Sequence, residues 1–180
     1  MTCIVGIQHK RRVLIAGDSA GVAGYSVTVR ADEKVFARDG YLFGFTSSFR
    51  MGQILRYDAE LPAVPGRGAD LDAFMVSEFV PAARQAFEQG GYLTKRNETE
   101  SGGTFLVGVR GVLFCVDSDF QVGKSVDKYM AVGCGDDLAL GALHATRRGG
   151  WDPEIRARLA LEAAAHHSAG VCGPFHAVAA

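Results

Sequence analysis

The chain has 180 residues, 48% of them hydrophobic, and a formal net charge of −1. That length and apolar content suit one globular domain with a full core, expected over residues 2–180. The near balance of charge gives no electrostatic basis for binding nucleic acid or an anionic membrane, and no apolar run approaches the roughly 20 residues a membrane helix needs.

The N-terminus reads Met1-Thr2-Cys3-Ile4-Val5-Gly6. It has none of the basic leader, long apolar segment and small-residue cleavage site of a signal peptide. Cys3, Cys115, Cys134 and Cys172 form no CxxC pair and no zinc-ligand spacing. Reduced thiols in a cytoplasmic protein are the expectation, with no metal and no cofactor.

Thr2 to Gln8 reads as a strand, His9 to Arg12 as a polar turn, and Val13 to Gly17 as a second strand, apolar on both faces. Such a strand belongs inside a sheet covered on both sides. Asp18 ends it, and a glycine-containing loop is expected as far as Tyr25. Ser26 to Arg30 and Lys34 to Ala37 read as short strands. Asp39-Gly40 is a hairpin turn signal before Tyr41 to Phe45. Thr46, Ser47 and Ser48 supply capping side chains for a helix through Met51 to Leu55.

Pro62 to Gly68 reads as a loop. Leu71, Phe74, Met75, Phe79, Ala82, Ala83 and Phe87 recur at helical spacing, and Gly90-Gly91 stops that helix. Leu93 to Gly102 is polar and reads as a surface excursion. Thr104 to Val109 and Val112 to Val116 form a hairpin, and Tyr129 to Val132 another strand. Leu138 to Ala145 is a helix. Asp152, Pro153 and Glu154 open a last one, running to about His166, and Val171 to Val178 reads as a final strand. Segregated runs of strands and helices of this kind indicate an α+β class with helices outside stacked sheets.

Three residues stand at matched spacing: Asp18 lies sixteen positions after Thr2, and Lys34 sixteen after Asp18. Each alone has a plain structural explanation. Together the triplet is a coincidence of about one in ten thousand. With the flanking runs T-C-I-V-G-I, V-L-I-A-G-D-S and K-V-F, it resembles the proteasome β-subunit and HslV-like family of N-terminal-nucleophile (Ntn) hydrolases. Tyr41 to Gly44, Ala131 to Gly135 and Ala163 to His166 extend the resemblance, which covers about residues 2–60 and 103–172.

The resemblance implies a four-layer αββα sandwich of two antiparallel sheets flanked by helices. It also implies assembly into homo-oligomeric rings, an ATPase unfoldase as partner, and peptides or unfolded proteins as substrate. Thr2 would be the nucleophile once Met1 is removed, with its own amine as base, since a free α-amine titrates near pH 8. Lys34 would supply positive charge, Asp18 would hold Lys34, and the Ser48 N–H would face the oxyanion. Cys134 takes the place of a serine near the nucleophile, Ser168 that of an aspartate, and Val171 that of a serine. Thr46 and Arg50 fall where the family lines its first specificity pocket; for Arg50, a solvent-facing position at the helix start is an equal expectation. Three activities remain open on these departures: a divergent threonine peptidase, a ring protein with weak or no activity, and an amidase acting on a small molecule. His166-His167 reads as a helix-end pair rather than a metal site.

Overall fold

Side-chain alternation decides the layering. The computed structural model describes residues 1–180. Its first strands are β1 (Cys3–His9), β2 (Arg12–Gly17), β3 (Ala20–Ala23), β4 (Ser26–Val29), β5 (Val35–Arg38) and β6 (Tyr41–Phe45). Helix α1 (Phe49–Gln53) widens into a π-helical turn over Ile54–Asp58. Helix α2 (Leu71–Phe74) passes through a second such turn, Met75–Phe79, into α3 (Val80–Gln89). There follow β7 (Thr94–Arg96), β8 (Thr99–Ser101), β9 (Phe105–Val109), β10 (Val112–Val116), β11 (Val122–Gly123), β12 (Tyr129–Gly133), α4 (Asp136–Ala145), α5 (Pro153–His167) and β13 (His176–Ala179).

One antiparallel sheet has the order β12-β1-β2-β13, the other β11-β10-β9-β6-β5. Along β1, Cys3, Val5 and Ile7 join a core under α4 and α5, while Ile4 faces the other sheet. Along β6, Tyr41, Phe43 and Phe45 face the first three helices, while Leu42 faces the other sheet. A period of two therefore sends each strand into two cores. The four αββα layers hold three cores: an aromatic one, a middle aliphatic one and an alanine-rich one. The many small residues of α5 (Ala157, Ala160, Ala164) allow close packing on β1. Phe79 in the aromatic core contacts Tyr41, Phe43 and Phe105 at ring separations of 5.3, 6.2 and 6.5 Å. Burying each such ring is worth about 1.5–3 kcal/mol.

The sheets approach closely at Gly44. A Cβ there would lie 2.5 Å from side-chain carbons of both Ile4 and Ile15. Gly44→Ala is expected to destabilise by about 1–3 kcal/mol, the usual cost of overpacking a filled core. Gly123→Ala, which would meet nothing within 4 Å, should stay within about 0.5 kcal/mol of wild type. Equal urea midpoints for the two variants would refute the close approach.

Four local expectations are revised. The expected loop after Asp18 is strand β3, paired with β4 across a turn at Gly24, whose φ is +57°. The excursion from Leu93 to Gly102 carries the small β7–β8 hairpin. The long helix is interrupted because Pro81 has no N–H and its ring crowds the preceding carbonyls; the wide turn ends just before it, with the Val80 N–H reaching Met75 O. The last strand begins at His176 rather than Val171, because Val171 is buried in the alanine-rich core.

Candidate active site

The β1–β2 register sets Gly17 opposite Ile4, so Asp18 arrives beside Cys3 at the head of β1. The Asp18 N–H donates to Cys3 O at 3.2 Å, and the Cys3 N–H returns to Asp18 Oδ1 at 3.0 Å. Lys34 comes from the other sheet, one residue before β5. Its Nζ donates to Asp18 Oδ1 at 2.8 Å, and the two side chains are 1% and 0% exposed. Asp18 Oδ2 accepts from the N–H groups of Ala20 at 2.9 Å and Cys172 at 3.4 Å. The carboxylate is thus held from several directions and fixes where the ammonium sits. Burial pulls the Lys34 pKa below its ordinary value, and the bond to Asp18 opposes part of that pull.

Thr2 is 5% exposed and lines the same cleft as Lys34. With Met1 attached, its nitrogen is an amide whose N–H donates to Cys134 Sγ at 3.3 Å, and its hydroxyl donates to Met1 O. Gly133 delivers Cys134 to this position. Its φ is +109°, and a Cβ there would lie 2.2 Å from Thr2 O. Cys134 Sγ also stands 3.7 Å from Ser168 Oγ. Ser168 therefore reaches the surroundings of Thr2 only through a thiol. Val171 packs against Gly135 in the core and offers no hydroxyl. Burial, followed by the Asp18 charge, pushes the Cys3 thiol up to about 12, so Cys3 stays a protonated thiol.

Ser48 lines the cleft and caps α1, its Oγ accepting from the Arg50 N–H at 3.1 Å. Its own N–H is turned onto Thr46 O at 2.6 Å. That tight turn is centred on Ser47, a non-glycine residue at φ +61°. Such turns are strained. Thr46 is a buried cleft residue whose hydroxyl donates to Thr104 O at 2.8 Å. Arg50 takes the solvent-facing position: it lies outside the cleft and bridges Asp58 Oδ2 at 3.4 Å and Gly90 O at 3.2 Å. The arginine in the cleft is Arg30, at the end of β4. Nothing in its immediate sequence marks it: Ser26 to Arg30 reads as a short strand, and its pairing with β3, in the span expected to be a loop, forms the hairpin that carries Arg30 to the cleft. His166 and His167 stack edge to face at 4.6 Å, and no cluster of three or more metal-ligating side chains forms. No helix is long and apolar enough to cross a membrane.

The cleft has a volume of ≈ 280 Å³. It brings a hydroxyl, the nitrogen of the same residue and a buried cation together at a strand head. Those are the parts of a nucleophile with an internal base. No family model matches the sequence, and no curated protein matches it. Solved structures do. BPH of Thiobacillus denitrificans in complex with epoxomicin superposes with a TM-score of 0.82 at 25% identity, over 99% of this chain and 97% of that one. Eukaryotic HslV from Trypanosoma brucei gives 0.68 at 18% identity, over 98% of both chains. A mutant of Anbu from a Hyphomicrobium species gives 0.69 at 16%, over 99% of this chain and 80% of that one. The chain has the fold of the HslV- and BPH-type proteasome-like Ntn hydrolases.

Proposed function

We propose that this chain, acting as one domain over residues 2–180, is a threonine-type peptidase subunit of a proteasome-like homo-oligomeric ring in the cytoplasm. It would cleave peptides or unfolded proteins, the latter delivered by an ATPase unfoldase. The observation that carries the reading is the buried Lys34–Asp18 pair, with Thr2 beside it at the head of β1. A buried lysine bound to a carboxylate is costly for stability alone, so its place in the nucleophile's cleft argues for chemistry.

Removal of Met1 would turn the Thr2 amide into a free amine. That amine would take the hydroxyl proton as Oγ1 attacks the peptide carbonyl. The Lys34 ammonium would favour the deprotonated hydroxyl. The Ser48 N–H would turn from Thr46 O to the oxyanion as the strained turn at Ser47 opens. Cys134 would hold the amine. The proton would then pass to the leaving amine, and water would release the acyl group.

A second reading, a ring protein of weak or no activity, is favoured by one observation: Val171 lies in the core and Ser168 touches the site only through Cys134. Intact mass, native mass spectrometry and peptide hydrolysis on the same sample separate the two. Loss of Met1, a multimeric mass and turnover support the peptidase. A processed ring that cleaves nothing supports the second reading, and a monomer at micromolar concentration removes both.

A further inference from the structure

Resting on the peptidase reading, we infer that Arg30 selects substrates carrying an acidic side chain at the residue on the N-terminal side of the scissile bond. Arg30 and Lys34 are the charged side chains lining the cleft, and no carboxylate lines it. Lys34 is already engaged by Asp18, so Arg30 is the cation a substrate meets.

The guanidinium is held by one edge. Arg30 Nε donates to Asp32 Oδ1 at 2.6 Å and Nη2 to Asp32 Oδ2 at 2.7 Å. That fork uses the Nε side and leaves Nη1 without a partner in the chain. A guanidinium has five N–H groups, so a second carboxylate can approach along the Nη1 edge without displacing Asp32. Phe49 fixes the plane, its ring centroid 4.1 Å from the guanidinium carbon. The same ring lies 5.7 Å from Lys34 Nζ on the catalytic side. Arg30 and the Lys34 ammonium thus share one aromatic ring in the cleft that Thr2 also lines, which puts the free guanidinium edge on the path of a side chain next to the bond under attack.

The hairpin makes room for it. A Cβ at Gly21 would lie 2.9 Å from Arg30 Cγ and 3.1 Å from Cδ, so the stem crosses β3 where no side chain stands. The Asp32 bond raises the Arg30 pKa further, so its charge persists at every working pH. Asp32 is a positioning residue here: it cancels part of the charge but orients what remains.

The test uses matched peptides bearing Glu, Gln, Leu or Arg at that residue. Turnover is measured with processed protein. Equilibrium binding of the corresponding acetylated peptide amides is measured with Thr2→Ala protein, which keeps the cleft and cannot react. Glu should be favoured over Gln by about tenfold or more in kcat/KM and in affinity, the range of a charge-assisted hydrogen bond. Arg30→Gln should remove that preference while leaving the Leu peptide within about twofold. Arg30→Glu should transfer the preference to Arg. Gly21→Ala should weaken it by crowding the stem.

Equal handling of Glu and Gln by wild type overturns the inference. So does an Arg30→Gln loss of the same size for Leu and Glu, which indicates a structural role. Should processed protein cleave no peptide, the peptidase reading fails, and the selectivity of Arg30 still stands or falls on the binding arm.

Discussion

Lys34→Ala is expected to lower peptide turnover by about 10³-fold or more, the scale at which a preorganised charge and assisted proton transfer act together. The fold should survive. Asp18 keeps backbone donors from Cys3, Ala20 and Cys172, so its carboxylate does not become an orphan. Circular dichroism and the native mass should match wild type while kcat collapses. Asp18→Asn approaches the same site from the other partner. It leaves a buried lysine without an anion, so the ammonium loses the group that holds it charged, and activity falls severely.

The pH dependence has a definite sign. Burial sets the Lys34 pKa below its ordinary value. If the ammonium is required, the alkaline limb of kcat falls at lower pH than an exposed lysine would give, and Asp18→Asn moves it lower still. In the same window the unfolded chain binds more protons than the folded one. The contribution of this group to stability therefore rises with pH between the folded and unfolded values. Near wild-type cleavage by Lys34→Ala would overturn the assigned mechanism.

Thr2→Ala should abolish turnover, and so should retention of Met1. In the presence of Met1 the hydroxyl is tied to Met1 O and the nitrogen is an amide, so neither base nor free nucleophile exists. A peptide epoxyketone reads both groups at once, because its ring adduct needs the hydroxyl and the free amine of one residue. Processed wild type is expected to gain the reagent's mass on Thr2. Thr2→Ala and protein with Met1 retained should gain nothing. Thr2→Ser offers the same two groups and should keep part of the activity. A processed, assembled protein that stays unlabelled would favour the inactive reading, with Ser168 and Val171 as the first substitutions to reverse.

The sequence by itself carried most strands of the two sheets, the positions of the helices and the Thr2–Asp18–Lys34 triplet. The reason is local. The continuous apolar run from Val13 to Gly17, helical spacing from Leu71 to Phe87 and the Asp152-Pro153 cap are written in neighbouring residues, and the triplet sits at strand ends that those patterns already mark. Only the tertiary structure decided which arginine enters the cleft. Arg30 and Arg50 are both exposed-type residues beside an element end. Pairing of β4 with a strand formed in the expected loop carries Arg30 to the cleft, while Asp58 and Gly90, distant in sequence, draw Arg50 out. Register across the chain likewise placed Cys134 at the Thr2 nitrogen and Ser168 behind Cys134, while the turn at Ser47 committed the Ser48 N–H to Thr46 O. These depend on contacts between segments far apart in sequence, and on a positive φ at Ser47 that nothing in its residue type announces.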